Sequence, residues 1–285
     1  MINLILTTSA AHFRPYFAKQ KGFRVLPLGK NKDGENIFPD GEVFASLPSL
    51  PKTGRFIVLH SGAPEPNRGL AELEMLLSIL KWEGKKAEVF FTYMPYSMQD
   101  KQHGKGETIA AEDILRKLTL YYGVKKLYVL EPHFEGAPWL TGLPLISVPA
   151  HNFLMREVRK KYREAIFVAP DMGHVRRTKI EGVEKKRIDS YTVEIGKNPK
   201  LMARLSGKTV AVVDDIVETG GTMVGFKKAC MAFRPKKMLA VVTHGLLPEG
   251  VARLKKEYGA LILSNSIAQK TPTVDIAPLI AEVLL

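Results

Sequence analysis

The densest group of chemically useful side chains lies between residues 209 and 223, T-V-A-V-V-D-D-I-V-E-T-G-G-T-M. Asp214, Asp215 and Glu218 supply three carboxylates, and Thr219-Gly220-Gly221-Thr222 follows directly. Glycines let successive backbone N–H groups turn toward an anion, and a helix that starts there adds its positive end, so the loop suits a phosphate. Thr219 and Thr222 add hydroxyl donors. The carboxylates just upstream repel a phosphate and need another partner, either sugar hydroxyls or a divalent cation. A phosphorylated sugar satisfies both halves. A plain strand-to-helix turn, with Asp and Thr as caps, explains one acid and one T-G but not three acids and T-G-G-T together. No lysine follows the glycines, which separates the segment from a Walker loop.

Such a loop needs a strand to enter it and a helix to leave it. Residues 210–213 form a continuously apolar, β-branched run suited to a central strand of a parallel sheet, ending at Asp214, and residues 223–233 have helical spacing. The same alternation runs through the chain. Strands are expected at 2–6, 23–28, 43–47, 55–60, 87–92, 126–130, 145–148, 165–168, 237–242 and 260–264. Helices are expected at 69–82, 108–122 and 152–162, with a shorter one capped by Ser9 and running toward Gln20. Leu70, Leu73, Leu76, Leu77 and Leu80 share one face of the 69–82 helix. Strands and helices in this order imply parallel sheets with right-handed crossovers. The series closes and restarts near Pro149, predicting domains at 1–148 and 149–285, with residues 274–285 returning to the first half.

The 285 residues suffice for two cores, and a hydrophobic fraction of 45% is that of an ordinary globular protein. No apolar run approaches a membrane span, and residues 1–4 lead into a strand without a cationic signal region, so a cytoplasmic protein without membrane contact is expected. The lone Cys230 is expected in a core. A formal charge of +13 is dispersed and comes without a zinc-finger, RNP or helix-turn-helix pattern, so no nucleic-acid partner is expected. The positive field suits nucleotides and sugar phosphates.

Open parallel sheets bind ligands beyond the carboxyl ends of their strands. Residues 95–101, Glu131 with His133, Asp171, Asp214 with Asp215, and His244 all fall there. A single such residue is an ordinary turn residue, but the recurrence from strand to strand is harder to dismiss.

Several of these groups resemble the ribose-phosphate pyrophosphokinases, which make 5-phosphoribosyl 1-pyrophosphate (PRPP). V-V-D-D-I-V-E-T-G-G-T resembles the phosphoribosyl loop that these enzymes share with type I phosphoribosyltransferases. F-P-D-G-E at 38–42 resembles the loop that reaches a neighbouring subunit's adenine, and P-Y-S-M-Q-D-K-Q at 95–102 the family's nucleotide loop. E-P-H at 131–133 is similar to its D-x-H element near metal and triphosphate. A-P-D-M-G at 169–173 is similar to P-D-x-G, and V-E-K-K-R-I-D at 183–189 to the E-K-x-R flap of the archaeal enzymes. The resemblance covers nearly the whole chain. It implies an α/β fold of two tandem type I phosphoribosyltransferase-like domains, each a parallel sheet flanked by helices.

The implied reaction is Mg²⁺-dependent transfer of pyrophosphate from ATP, or another nucleotide, to the 1-hydroxyl of ribose 5-phosphate, giving PRPP and AMP. Lys185, Arg187 and His133 are the implied catalytic residues. Asp214, Asp215, Glu218, Thr219, Gly220, Gly221 and Thr222 are the implied ribose 5-phosphate site. Phe38, Asp40, Glu42, Gln99, Asp100 and Lys101 would hold the nucleotide, and His133 and Asp171 the metal. The 38–42 loop implies a homo-oligomer, a dimer or higher.

The match is incomplete. Met98 stands where the family has an arginine, and a thioether offers neither its charge nor its donors; Lys101 and His103 are the nearest bases that could compensate. Glu131 and Glu218 each replace an aspartate and keep the charge. Residues 174–182 are expected to be too few for the family's helix and its connections together. Two alternatives therefore remain: a non-catalytic or regulatory homologue that binds sugar phosphate or nucleotide, and a ribose-phosphate kinase with an altered donor. A phosphoribosyltransferase is less suited, as no base-recognition hood is visible.

Overall fold

The structure, a computed structural model, describes residues 1–102, 104–182, 185–187, 193–195, 199–270 and 272–285. The chain divides into two compact units, one of residues 1–148, 266–268 and 277–285, the other of residues 149–265 and 269–276.

The first unit contains β1 (Ile2–Leu6), α1 (Arg14–Phe17), β2 (Phe23–Leu26), β3 (Arg55–Ser61), α2 (Pro66–Trp82), β4 (Ala87–Tyr93), α3 (Ala110–Leu120), β5 (Leu127–Leu130) and β6 (Leu145–Val148). Its six strands are all parallel, in the order β2-β1-β3-β4-β5-β6. Every residue of β1 and β4 is buried, as strands covered on both faces require. The leucine stripe of α2 packs as its spacing demands, with Leu73, Leu76, Leu77 and Leu80 buried against Val58, Val89 and Phe91 and Leu70 at the margin.

The second unit runs α4 (Ala150–Lys161), β7 (Ile166–Val168), α5 (Met172–Thr178), β8 (Lys185–Arg187), β9 (Val193–Ile195), α6 (Pro199–Leu205), β10 (Thr209–Val217), α7 (Gly221–Cys230), β11 (Lys237–Gly245), α8 (Pro248–Glu257) and β12 (Ala260–Leu263). Four parallel strands lie in the order β12-β11-β10-β7, while β8 and β9 form a separate antiparallel pair. Cys230 is fully buried in this core, and burial pushes its thiol pKa up to about 12.

A last helix, α9 (Ala277–Leu284), belongs to the first unit. Arg55 on β3 donates to the Leu284 carbonyl at 2.6 Å and holds Glu88 on β4 through two hydrogen bonds of 3.0 and 2.9 Å. Burial alone would raise the Glu88 carboxyl, but the hydrogen bond and charge of Arg55 outweigh it and leave the pKa below the ordinary range.

Four expectations need correction. The strand expected at 210–213 does not stop at Asp214 but continues to Val217, because β11 is equally long and pairs Asp214 with Val242, Ile216 with His244 and Val217 with Gly245. No strand forms at 43–47; Ile37 and Val43 make one isolated antiparallel bridge, so these residues close a hairpin instead. Ser9 caps nothing: Thr8–Phe13 is a 3-10 turn whose preceding residue is Thr7, and α1 is only Arg14–Phe17. Residues 174–182 do accommodate a helix. α5 starts inside A-P-D-M-G, with Asp171 as its cap, and ends at left-handed Lys179 (φ 59°), so no residues are needed for an entry loop.

Candidate active site

β10 carries the acids. With flanking apolar residues drawing the strand into the sheet, Asp214 and Asp215 are left 8% and 3% exposed. The Asp215 N–H donates to Asp214 Oδ1 at 3.1 Å. Beyond Val217 the chain turns outward, and Glu218 and Thr219 are exposed. Gly220 takes φ 73° and ψ 6° at the cap of α7, a conformation that favours glycine. The first N–H groups of α7, from Gly221 and Thr222 onward, have no carbonyl one turn earlier within their own helix. Exposed threonine, turned glycine and a helix start thus sit directly after two buried carboxylates, as the sugar and phosphate halves of the motif require.

Two elements outside the motif shape it. α5 brings in His174, whose side chain is fully buried with Nδ1 3.9 Å from Asp214 Oδ1 and 3.8 Å from Asp215 Oδ1. These three residues form a buried cluster whose ligand atoms lie within 4.8 Å of one another and could hold a metal ion. Asp171 accepts the His174 N–H at 2.9 Å, so the aspartate of the P-D-x-G segment fixes the turn from which His174 points. α8 supports the loop from behind. The Gly250 Cα lies so close to the Glu218–Thr219 backbone that an added Cβ would sit 2.7 Å from the Glu218 carbonyl carbon. Leu254 packs on Gly220, and Arg253 donates to the Thr219 carbonyl at 3.4 Å. Tyr258, at the end of α8, donates to the Met223 carbonyl at 2.6 Å. His244, the last residue but one of β11, is buried and pairs with Ile216.

Sequence reasoning missed His174, Gly250 and α8 as a whole. The signal for His174 was its place three residues after Asp171, the spacing of a capped first turn. L-P-E-G gives no comparable sign of what Gly250 touches.

In the first unit, Phe38, Asp40 and Glu42 occupy the tip of the 37–43 hairpin. Phe38 N–H donates to the Glu42 carbonyl at 2.8 Å, Glu42 N–H to Asp40 Oδ1 at 3.0 Å, and Gly41 turns at φ 92°. Phe38 is 36% exposed although its ring meets Phe44 edge-on at 5.7 Å. Gln99, Asp100 and Lys101 follow β4 and its turn. Gln99 N–H donates to the Tyr96 carbonyl, and the Asp100 carbonyl accepts from Trp139 Nε1 at 2.9 Å. Gly62 permits this loop's approach, since a Cβ there would lie 2.5 Å from the Pro95 nitrogen. Met98 is half-buried in the same turn. Glu131 and His133 follow β5; Glu131 is buried with φ 46°, an uncommon conformation for a non-glycine residue.

Lys185 and Arg187 lie on β8, but their side chains, with Val183, Glu184, Ile188, Asp189 and His103, fall outside the described residues.

No family model matches the chain. Curated relatives do. The ribose-phosphate pyrophosphokinase of Sulfurisphaera tokodaii is 31% identical over 274 residues, spanning 90% of this chain and 93% of the relative. The chain belongs to the ribose-phosphate pyrophosphokinase family. The Pyrococcus furiosus pyrophosphokinase is 32% identical over 263 residues, 87% of this chain and 90% of its own. The fold is shared with the crystal structure of phosphoribosylpyrophosphate synthetase from Mycobacterium smegmatis, with a TM-score of 0.83 over 99% of this chain and 97% of that one at 21% identity. Among the described residues no helix is long and apolar enough to cross a membrane.

Proposed function

We propose that this pyrophosphokinase homologue transfers the β,γ-pyrophosphoryl group of ATP to the 1-hydroxyl of ribose 5-phosphate, releasing AMP and PRPP. The observation that carries the reading is the continuity of β10 into α7: two buried carboxylates, an exposed Thr219, a left-handed Gly220 and a helix start in direct succession. Asp214 and Asp215 accept hydrogen bonds from the ribose hydroxyls. Thr219, Gly220, Gly221 and Thr222 hold the 5-phosphate, with Glu218 at the loop's entrance. Fixing the sugar at both ends leaves the 1-hydroxyl positioned, so that attack on the β-phosphorus needs little further loss of freedom.

Attack there concentrates negative charge on phosphate oxygens, and Lys185 and Arg187 on the β8–β9 flap are the cations we assign to it. Flap closure also excludes water that would compete with the sugar. Phe38, Asp40, Glu42, Gln99, Asp100 and Lys101 bind the nucleotide. We assign the Mg²⁺ contacts to His133 and Asp171. Asp171 Oδ1 serves as a helix cap, and a carboxylate has a second oxygen for a cation. When bound, Mg²⁺ would supply positive charge to the triphosphate oxygens. The exposed 38–42 hairpin suits a role in a neighbour's site, hence a homo-oligomer. A cytoplasmic location belongs to the same reading, in keeping with the single buried thiol.

Incubation with ribose 5-phosphate, Mg²⁺ and separate nucleotides tests the proposal. AMP with PRPP is the expected pair. ADP as the nucleotide product would show single-phosphoryl transfer instead, and no turnover with intact ribose 5-phosphate binding would leave a non-catalytic binder, the reading that Met98 favours.

A further inference from the structure

We infer that the edge of the second unit where its parallel strands begin is a nucleic-acid-binding face, one that holds the phosphate backbone of a duplex without reading its sequence. This face remains whether or not the acid pair at the other edge holds a ribose.

Positive charge that is dispersed along the chain is gathered by the fold. The second unit bears 24 lysines and arginines against 13 aspartates and glutamates, and the first 18 against 16, so nearly all of the net +13 belongs to the second. Parallel topology then collects cations at one edge. Each crossover helix returns the chain to the start of a strand, so α4, α7 and α8 end where β7, β11 and β12 begin. Their last turns carry Lys160 and Lys161, Lys227 and Lys228, and Lys255 and Lys256. The turns that enter the strands add Arg163, Lys208, Arg234 and Lys236, all exposed, and the half-buried Lys237. These turns are joined to one another. Gly207 N–H donates to the Arg234 carbonyl at 3.1 Å, Lys236 N–H to the Lys208 carbonyl at 2.9 Å, and Lys237 Nζ to the Tyr162 hydroxyl at 3.2 Å. Of the acids beside them in sequence, Glu157 pairs with Lys160 at 2.7 Å and Glu257 with Lys227 at 3.4 Å, which leaves Glu164 between α4 and β7.

Helix ends favour lysine because their carbonyls carry partial negative charge. That cause acts equally on the first unit, where the last turns of α2 and α3 carry one lysine each, Lys81 and Lys117, and the whole is close to neutral. It also does not reach Lys208, Arg234 and Lys236, which precede strands. The face is distant from the acid pair as well. Five residues of extended β10 separate Thr209 from Asp214, about 17 Å at the usual rise.

The composition of the face decides the partner. Protein interfaces have an apolar centre and are poor in lysine, whereas nucleic-acid interfaces are strongly positive. An anionic bilayer is gripped by a whole apolar helix face, but Met231 and Phe233, 51% and 38% exposed, are the large apolar side chains that the described residues of this unit expose. Single strands need open aromatic rings to stack on. The Tyr162 ring is already covered by Lys237 and Lys161, at 5.0 and 5.7 Å from its centre. A duplex needs only cations in a rigid array, and lysines act on its phosphates as point charges that carry no sequence information.

The test is fluorescence anisotropy of the full chain with labelled duplexes of about 20 base pairs, DNA and RNA in parallel, each in two unrelated sequences. Saturable binding is expected, equal for the two sequences, with affinity falling about 1000-fold from about 50 to about 200 mM salt, as about six phosphate contacts require. Replacing Lys208→Gln, Arg234→Gln and Lys236→Gln together should lower affinity at least about tenfold and halve the salt dependence. Lys32→Gln, Lys52→Gln and Lys125→Gln remove the same charge from exposed positions of the first unit and should change affinity less than about twofold. Acetylation of the unaltered chain gives an independent readout: a bound duplex should protect Lys208, Lys228 and Lys236 but not Lys32 or Lys52. Saturating ribose 5-phosphate should leave duplex affinity unchanged. Binding to DNA alone or to RNA alone supports the inference and identifies the duplex. No saturable binding, a sequence preference above about tenfold, equal losses in the two triple variants, protection elsewhere, or competition by ribose 5-phosphate each overturns it. Binding to phosphatidylserine vesicles but to neither duplex overturns it in favour of a membrane surface.

Discussion

Gly250→Ala sets two physical effects of opposite sign against each other. Gly250 lies in the first turn of α8, where replacing glycine by alanine ordinarily stabilises a helix by about 1 kcal/mol. The added methyl, however, meets backbone rather than a flexible side chain: first the Glu218 carbonyl oxygen, then its carbon at 2.7 Å and the Thr219 carbonyl carbon at 3.2 Å. Relieving the carbon–carbon contact alone, to about 3.5 Å, displaces the Glu218 carbonyl by about 0.8 Å, and its oxygen, nearer still, must move by about 1 Å or more. Overpacking of this kind costs about 1–3 kcal/mol, more than the propensity gain. The displaced backbone leads into Thr219 and Gly220, so the phosphate cradle moves with it. Misplacement by about 1 Å costs about 100-fold in a positioned reaction, and we expect PRPP formation to fall by roughly that factor. The melting temperature should fall as well, and ribose 5-phosphate affinity, measured by calorimetry, should weaken. A Gly250→Ala protein that melts higher than the parent and binds ribose 5-phosphate unchanged would refute the packing argument and the phosphate loop's dependence on α8.

Lys185→Ala should lower turnover by about 100-fold or more while ribose 5-phosphate binding stays intact; unchanged turnover removes the lysine from the mechanism. Met98→Arg should tighten ATP binding, read by calorimetry, if this half-buried turn position faces the triphosphate, and unchanged affinity would show that it does not. Burial lowers the His60 pKa from 6.5 to about 3, so the native state binds fewer protons than the unfolded chain between those values. Stability from this group is complete above pH 6.5 and falls by up to about 1.4 kcal/mol per unit as pH drops toward 3. Denaturant midpoints of His60→Gln should show a shallower acid limb, and an identical limb would locate the dependence elsewhere. Arg55→Ala should cost about 1–3 kcal/mol, since it leaves Glu88 buried without its cation while the arginine itself is 38% exposed. Amide exchange over α9 should accelerate, because the Leu284 carbonyl loses its donor.

What could be read from the sequence depended on whether the deciding interaction was local. Apolar periodicity is local, so α2 and its leucine face, the buried strands and the alternation into parallel sheets were visible before any contact was known. The phosphate loop was visible for the same reason, since glycine, threonine and carboxylate act through their own backbone neighbourhood. The end of β10 was not. A pair of aspartates ordinarily terminates a strand, and only the length of its neighbour β11 carries the ladder through them. Residues 43–47 failed in the opposite direction: their apolar character suggests a strand, but among the described residues their only bridge is the isolated one from Val43 to Ile37, and they join no sheet.

The same distinction explains the site. Had the strand stopped at Val213, Asp214 and Asp215 would be loop residues, solvated and free to turn with their ligand. Sheet pairing instead fixes both backbones and removes most of their water, so each carboxylate gains strength toward hydroxyl or metal and loses tolerance for being left alone. The cost of holding them so is met by groups from distant parts of the second unit. α5 brings His174 up to both acids, and α8 leaves, at Gly250, the space that lets the next residues turn toward a phosphate. The chemistry is therefore written in one segment, but its geometry is set by residues some 40 positions before it and 30 after it, whose roles appear only once the sheet has brought them together.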